Sequence, residues 1–233
     1  MAKTTQHAAR GTRNAVAAVL FDFEGTLVDF QWRLEEAEAA LRAALAELAF
    51  DLSLFAGDNY AMLRTRALQL ASTASVKAEV ERRFAELYDR YDEDALSRWR
   101  PRPGASELLD RLSRGGVRLG LVTNIGRRAI DAALPRVGLG GFFGAVVTRN
   151  DVRLAKPSGE GIRKALRMLR CVPEEALFVG DSLSDVGAAR DAGVRVALVA
   201  GGEPPAPELE ARPPDHSLTG LHRVPDLLPR LPA

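Results

Sequence analysis

"VLFDFEGTLVD", Val19 to Asp29, ends an apolar run that opens with "AVAA" at Ala15, and the run stops abruptly on Asp22. Phe23, Glu24 and then Gly-Thr follow. A short, nearly continuous apolar segment is what a strand covered on both faces needs. A carboxylate at the end of such a strand is costly to ionise unless something positive meets it there. Four more segments share the pattern: "VRLGLVTN" (117 to 124), "GAVVT" (144 to 148), "ALFVGDS" (176 to 182) and "VRVALVAG" (194 to 201). Helical patterns lie between them, including "GASELLDRLSRGG" (104 to 116), with its Gly pair as a stop, and "GEGIRKALRMLR" (159 to 170). Strand–helix alternation of this kind predicts a doubly wound, parallel α/β sheet.

Residues 30–99 break the alternation. Leu34, Ala37, Leu41, Leu45 and Leu48 recur at helical spacing, as do Tyr60, Leu63, Ala67 and Leu70, and then Val76, Val80, Phe84, Leu87 and Tyr91. The spacing predicts three amphipathic helices inserted after the first strand, with Asp58 and Ser75 as N-cap candidates for the second and third. "RWRPRPG" (98 to 104) marks the exit, and Trp32 and Trp99, at the two ends, are expected to pack and act at the hinges. The predicted organisation is a tail (1–14), a core (15–29 and 100–233) and a helical insert (30–99). "GGEPPAPELEARPPD" (201 to 215) reads as a Pro-rich surface loop.

Bulk properties exclude several classes of function. With 46% hydrophobic and 27% charged residues among 233, a packed core is expected. A net charge of +1 gives no strong field, which argues against nucleic acid as a partner. No apolar run reaches the ~18 residues of a membrane span. The early apolar run is cut by Asp22, with no cleavage site after it, so a secretory signal is not expected. A lone cysteine, Cys171, cannot pair within the chain and suits a reducing cytoplasm. The histidines His7, His216 and His222 fall in the tail and C-terminal loops and are expected at the surface.

In an open α/β sheet, function sits beyond the carboxyl ends of the strands. The first strand delivers Asp22 and Glu24 there, the second Thr123 and Asn124, and the fourth Asp181 with Asp185 four positions later. The loop after the third brings Lys156, in "LAKPSG". Several carboxylates meeting in one cleft repel one another, and one lysine does not balance them. A hard divalent cation held by oxygen ligands is the natural remedy, and Mg²⁺ accepts one or two carboxylates while keeping waters. The Thr123 hydroxyl and the backbone N–H groups of "NIGRR", at a helix start, offer donors to a phosphate. Serine, cysteine and histidine nucleophiles find no support, which leaves a carboxylate able to form an acyl-phosphate.

This constellation resembles the haloacid dehalogenase superfamily over nearly the whole chain, in its phosphoglycolate phosphatase-like branch. "DFEGTLVD" looks like that family's first motif, "LVTN" its second, "KP" at 156 and 157 its third and "GDSLSD" at 180 to 185 its fourth. The helical insert is similar to its type-one cap. The resemblance implies that Asp22 is the nucleophile, taking the phosphoryl group as an aspartyl-phosphate. It implies Mg²⁺ held by Asp22, the backbone carbonyl of Glu24 and Asp181, with Asp185 acting through water or by orienting its neighbours. Thr123, the Asn124 backbone and Lys156 would hold the phosphate. Gly25, Thr26 and Gly180 would shape the turns. Glu24 departs from the pattern, which has Asp as the acid–base there; the longer arm points to a working but slow or substrate-adapted phosphatase.

The implied partner is a small phosphorylated metabolite, of the phosphoglycolate or sugar-phosphate kind, and the chain would be a monomer or homodimer. Two alternatives stay open: a phosphosugar mutase or phosphotransferase of the same fold, and a binding protein that has lost turnover at Glu24. Glu24 and the acids of "GDSLSD" speak against a metal-free dehalogenase. Lys77, the insert's one lysine, sits among solvated positions and speaks against Schiff-base phosphonate cleavage.

Overall fold

The computed structural model describes residues 16–203 and 208–228. Its strands are β1 (Ala18–Phe21), β2 (Arg118–Val122), β3 (Ala145–Val147), β4 (Ala176–Gly180), β5 (Arg195–Val199) and β6 (His216–Leu218). They form one sheet in the order β3-β2-β1-β4-β5-β6, with every pairing parallel. The doubly wound α/β expectation therefore holds. β1 lies at the centre, and the strand order reverses beside it, between β1 and β4.

Strand side chains alternate between faces, and β1 shows both. Val19 and Phe21 join a core on one face with Leu109, Leu121, Ile130 and Val179. Ala18 and Leu20 join a second core on the other, with Ile162, Phe178 and Val186. Helices α4 (Ala105–Arg114) and α5 (Arg127–Arg136) cover the first face, and α6 (Glu160–Leu169) and α7 (Leu183–Asp191) the second. Each fully buried Leu or Phe contributes about 1.5–3 kcal/mol over its exposed state, which is why uninterrupted apolar strands suit the centre of the sheet.

Between β1 and α4 run α1 (Leu34–Glu47), a 3-10 turn (Leu52–Phe55), α2 (Tyr60–Leu70) and α3 (Ala74–Leu96). They enclose their own cluster of Leu41, Leu45, Leu63, Ala67, Val80 and Phe84, at the predicted spacing, joined by Phe55 of the 3-10 turn. The caps differ from expectation. Thr73, not Ser75, caps α3 by accepting from the Val76 N–H. Asn59, not Asp58, accepts from the Met62 N–H at the start of α2, and the buried Asp58 pairs with Arg66 at 3.0 Å.

β6 was not expected either. His216 belongs to this edge strand, half-buried beside β5, rather than to a surface loop. Among the described residues no helix is long and apolar enough to cross a membrane. The predicted tail (1–14), with His7, lies outside the described residues.

Candidate active site

The reversal of strand order leaves a crevice beyond the carboxyl ends of β1 and β4, and the chain fills it with acids. Asp22 directly follows β1 and Asp181 directly follows β4. Asp185 sits in the first turn of α7 and is fully buried. Each of these acids offers an oxygen within 4.8 Å of the others', a separation that suits one cation. Among the described residues the only ammonium that meets them is Lys156, whose Nζ donates to Asp22 Oδ1 at 2.5 Å and to Asp185 Oδ1 at 2.6 Å.

Each acid is held by named donors. Asp181 accepts from Thr26 Oγ1 at 2.7 Å and from the Glu203 N–H at 2.7 Å. Asp185 Oδ2 accepts from the N–H groups of Asp181 and Ser182 and from the Ser182 hydroxyl, closing a capping box at the start of α7. With Oδ1 on Lys156, Asp185 has both oxygens occupied. The glycines leave room for this. Gly180 has no space for a Cβ beside the Asp185 carboxylate. Gly25 turns the chain at φ +80°, and a Cβ there would collide with the Asp181 carboxylate. Gly25→Ala is therefore expected to cost about 1–3 kcal/mol of stability and to weaken metal binding; thermal unfolding and a metal titration would read the two losses separately.

Burial pushes the Asp22 carboxyl up to about 6, although Lys156 pulls it back. Asp181 is raised well above the ordinary carboxylate range, by burial and then by repulsion from Asp185 and Asp22. Burial opposes the charge on Lys156, but Asp185 and Asp22 outweigh it and keep the ammonium charged. Three buried carboxylates against one cation thus leave a deficit of positive charge. The donor set is all oxygen and hard, which fits a divalent ion of the Mg²⁺ type.

Thr123 and Asn124 follow β2 and border the crevice, as expected. The Asn124 side chain clamps the lysine segment: Nδ2 donates to the Lys156 carbonyl at 3.1 Å, and Oδ1 accepts from the Lys156 N–H at 2.9 Å. Of the "NIGRR" N–H groups, Ile125 donates to Thr123 Oγ1, Gly126 to Asp92 and Arg127 to Asn150. Side chains already satisfy those three, so they are not open anion donors.

Glu24 is buried, and its Oε1 accepts three N–H bonds at 2.8 Å each, from the backbone of Gln31 and Trp32 and from the Trp99 indole. These donors come from the two connections between sheet and helices, where the two tryptophans were expected. Burial raises the Glu24 carboxyl to about 8 in spite of them.

Sequence reasoning missed four residues. Glu203 borders the crevice from the end of β5, and burial lifts its carboxyl to about 7. Its signal was available, since the rule applied to the other strands reaches the loop after β5. Tyr60 opens α2 and faces the same recess; burial, then Glu203 and Glu24, raise its hydroxyl well above the usual phenol value. Asp92 of α3 accepts from the Trp32 indole at 2.9 Å and from the Gly126 N–H, and it pairs with Arg149. No spacing rule connects Tyr60 and Asp92 to the strand ends, whereas Arg149, like Glu203, follows a strand end, two residues after β3. Lys77 is exposed on α3.

The profile of the haloacid dehalogenase-like hydrolases matches residues 16–193. The chain belongs to this family. Among its relatives, the pyrophosphatase PpaX of Bacillus velezensis is 42% identical over 122 residues, 52% of this chain and 55% of that protein. The chain thus spans about half the length of that relative. An N-acetylmuramic acid 6-phosphate phosphatase of Pseudomonas aeruginosa is 33% identical over 192 residues, covering 80% of this chain and 83% of its own. The family fold is also that of CbbY from Rhodobacter sphaeroides, crystallised in complex with phosphate. The two align with a TM-score of 0.59 at 25% identity, over 88% of this chain and 95% of CbbY.

Proposed function

We propose that the protein is a Mg²⁺-dependent phosphohydrolase that cleaves a small phosphate monoester through an aspartyl-phosphate on Asp22. The observation that carries this reading is Lys156 Nζ bridging Asp22 and Asp185, with the Asp181 carboxylate alongside. Mg²⁺ would be held by Asp22, the Glu24 carbonyl and Asp181, with Asp185 behind them. When bound, it supplies charge that neutralises phosphoryl oxygens. The relatives named as phosphatases support the same reading.

The chain's own residues do the rest. An Asp22 oxygen forms a bond to phosphorus as the ester P–O bond breaks, and Glu24 gives its proton to the departing alkoxide. Water then attacks phosphorus, passes a proton to Glu24 and frees Asp22 and inorganic phosphate. Lys156 holds the Asp22 carboxylate ionised and in place. We also propose that residues 30–99 form a cap over the crevice, which limits the substrate to small molecules and excludes water.

The direct test is phosphate release from a panel of small phosphate esters, with Mg²⁺ or with chelator. Release is expected with Mg²⁺ and should be lost in chelator. Equal release under both conditions would sink the metal requirement.

A further inference from the structure

Beside the crevice lies a larger cavity of about 250 Å³, between α2, α3 and the sheet. It shares Glu24, Tyr60, Asn124, Ile125 and Lys156 with the crevice, so a phosphate ester seated at Asp22 has its organic part in this cavity. Two features of its wall restrict what that part can be.

The first is aromatic. Trp32, Tyr60 and Tyr88 line the cavity together, with Trp32 5.4 Å from Tyr60 and 6.0 Å from Tyr88 between ring centroids. Aromatic faces take up a flat apolar surface, and polar groups at the rim fix its orientation. Thr65 and Asn150 border the same space.

The second is charge. Arg64 and Arg149 both line the cavity, which at first suggests a seat for a second anion. Neither is uncommitted. Arg64 donates from Nε at 2.8 Å and from Nη2 at 2.5 Å to Glu81 Oε2. Arg149 pairs with both Asp92 and Asp89, and its guanidinium lies over the Tyr88 ring. Glu81 and Glu24 themselves border the cavity. A second phosphate or a carboxylate would have to displace Glu81 or lie unpaired beside acids, and both are costly.

We propose that the leaving group is an uncharged polyol ring, and that the paired arginines select against esters carrying a second anion. The proposal rests on the phosphohydrolase reading for the seat of the phosphate. It sets this chain apart from relatives named for pyrophosphate.

Two substrate pairs test it. Glycerol 3-phosphate and 3-phosphoglycerate differ mainly in charge, while glucose 6-phosphate and glycerol 3-phosphate differ in the ring. With Mg²⁺, kcat/KM is expected to favour the uncharged member of the first pair and the ring of the second, each by roughly 10–100-fold. Glu81→Gln frees Arg64 and is expected to narrow the charge preference about tenfold, mainly by improving 3-phosphoglycerate. The same panel is titrated calorimetrically into the Asp22→Asn protein with Mg²⁺, where the order of affinities should match. Preference for 3-phosphoglycerate or pyrophosphate, no advantage of the ring, or a Glu81→Gln ratio equal to wild type would each overturn the proposal. Ordered binding without any phosphate release would retain the selectivity and overturn the hydrolase reading instead. Release without the order would do the reverse.

Discussion

Asp22→Asn is expected to reduce phosphate release on the order of 10⁴–10⁶-fold, to the level of the background reaction. The amide has the shape of the carboxylate but cannot form the acyl-phosphate. The fold should not suffer. The Asp22 N–H donates to the Val179 carbonyl, a bond the side chain does not touch. Lys156 keeps Asp185 as its partner at 2.6 Å, and the Asn carbonyl can still accept from Nζ. Removing one of three crowded carboxylates also relieves repulsion, so the metal-free variant should unfold no earlier than wild type. Steady-state release measured with a melting curve on the same sample separates lost chemistry from lost structure. A rate within tenfold of wild type would mean that water attacks phosphorus directly and that Asp22 only binds.

Much of the fold was legible because burial of a central parallel strand leaves a plain mark. β1, β2, β4 and β5 are apolar along nearly their whole length, since each faces a core on both sides. β6 bears no such mark. It is three residues, "HSL", at the sheet edge after a Pro-rich segment that holds a short helix, Glu208–Ala211, where a surface loop was expected, and its pairing depends on β5 already being in place. The helix caps failed by one or two residues because several small polar side chains stand together at each start. Which one caps depends on where the first turn begins.

The acids of the crevice were legible for a topological reason. Strand ends in a doubly wound sheet converge at the reversal point, so Asp22, Asp181 and Lys156 could be grouped without coordinates. Tyr60 and Asp92 reach the site by tertiary packing. Asp92 sits 70 positions after Asp22 in the chain, on a helix whose own periodicity explains its neighbours but not its carboxylate. It joins the Trp32 indole, the Gly126 N–H and Arg149, and so ties the helical unit to the loop after β2. Arg64 of α2 is only 24% exposed, and its side chain turns toward the cavity and Glu81.

Glu24→Gln is expected to lower kcat by roughly 10²–10⁴-fold, the usual worth of general acid–base help. The position of the proton follows from the hydrogen bonds. Oε1 already accepts from Gln31, Trp32 and Trp99, so a protonated Glu24 carries its hydrogen on Oε2. With its carboxyl raised to about 8, the metal-free protein holds that proton at neutral pH, ready for a leaving oxygen. The extra methylene relative to Asp lets one oxygen reach both connections to the helical unit. Glu24→Asp should therefore lose part of this anchor and fall by about 10²-fold, the effect of a misplacement near 1 Å. Stability gives an independent reading in chelator. The folded carboxyl lies at about 8 against an ordinary 4.5, so between those values the native state retains a proton that the unfolded chain has released. Stability from this group is then full below 4.5 and declines as pH rises toward 8. Glutamine has no such proton, and its carbonyl can accept the same three N–H bonds. Urea unfolding of Glu24→Gln should be flatter than wild type across that window and no weaker at its alkaline end. Turnover unchanged in both Glu24→Asp and Glu24→Gln would remove Glu24 from the chemistry and leave it as the pin between the sheet and its helical insert.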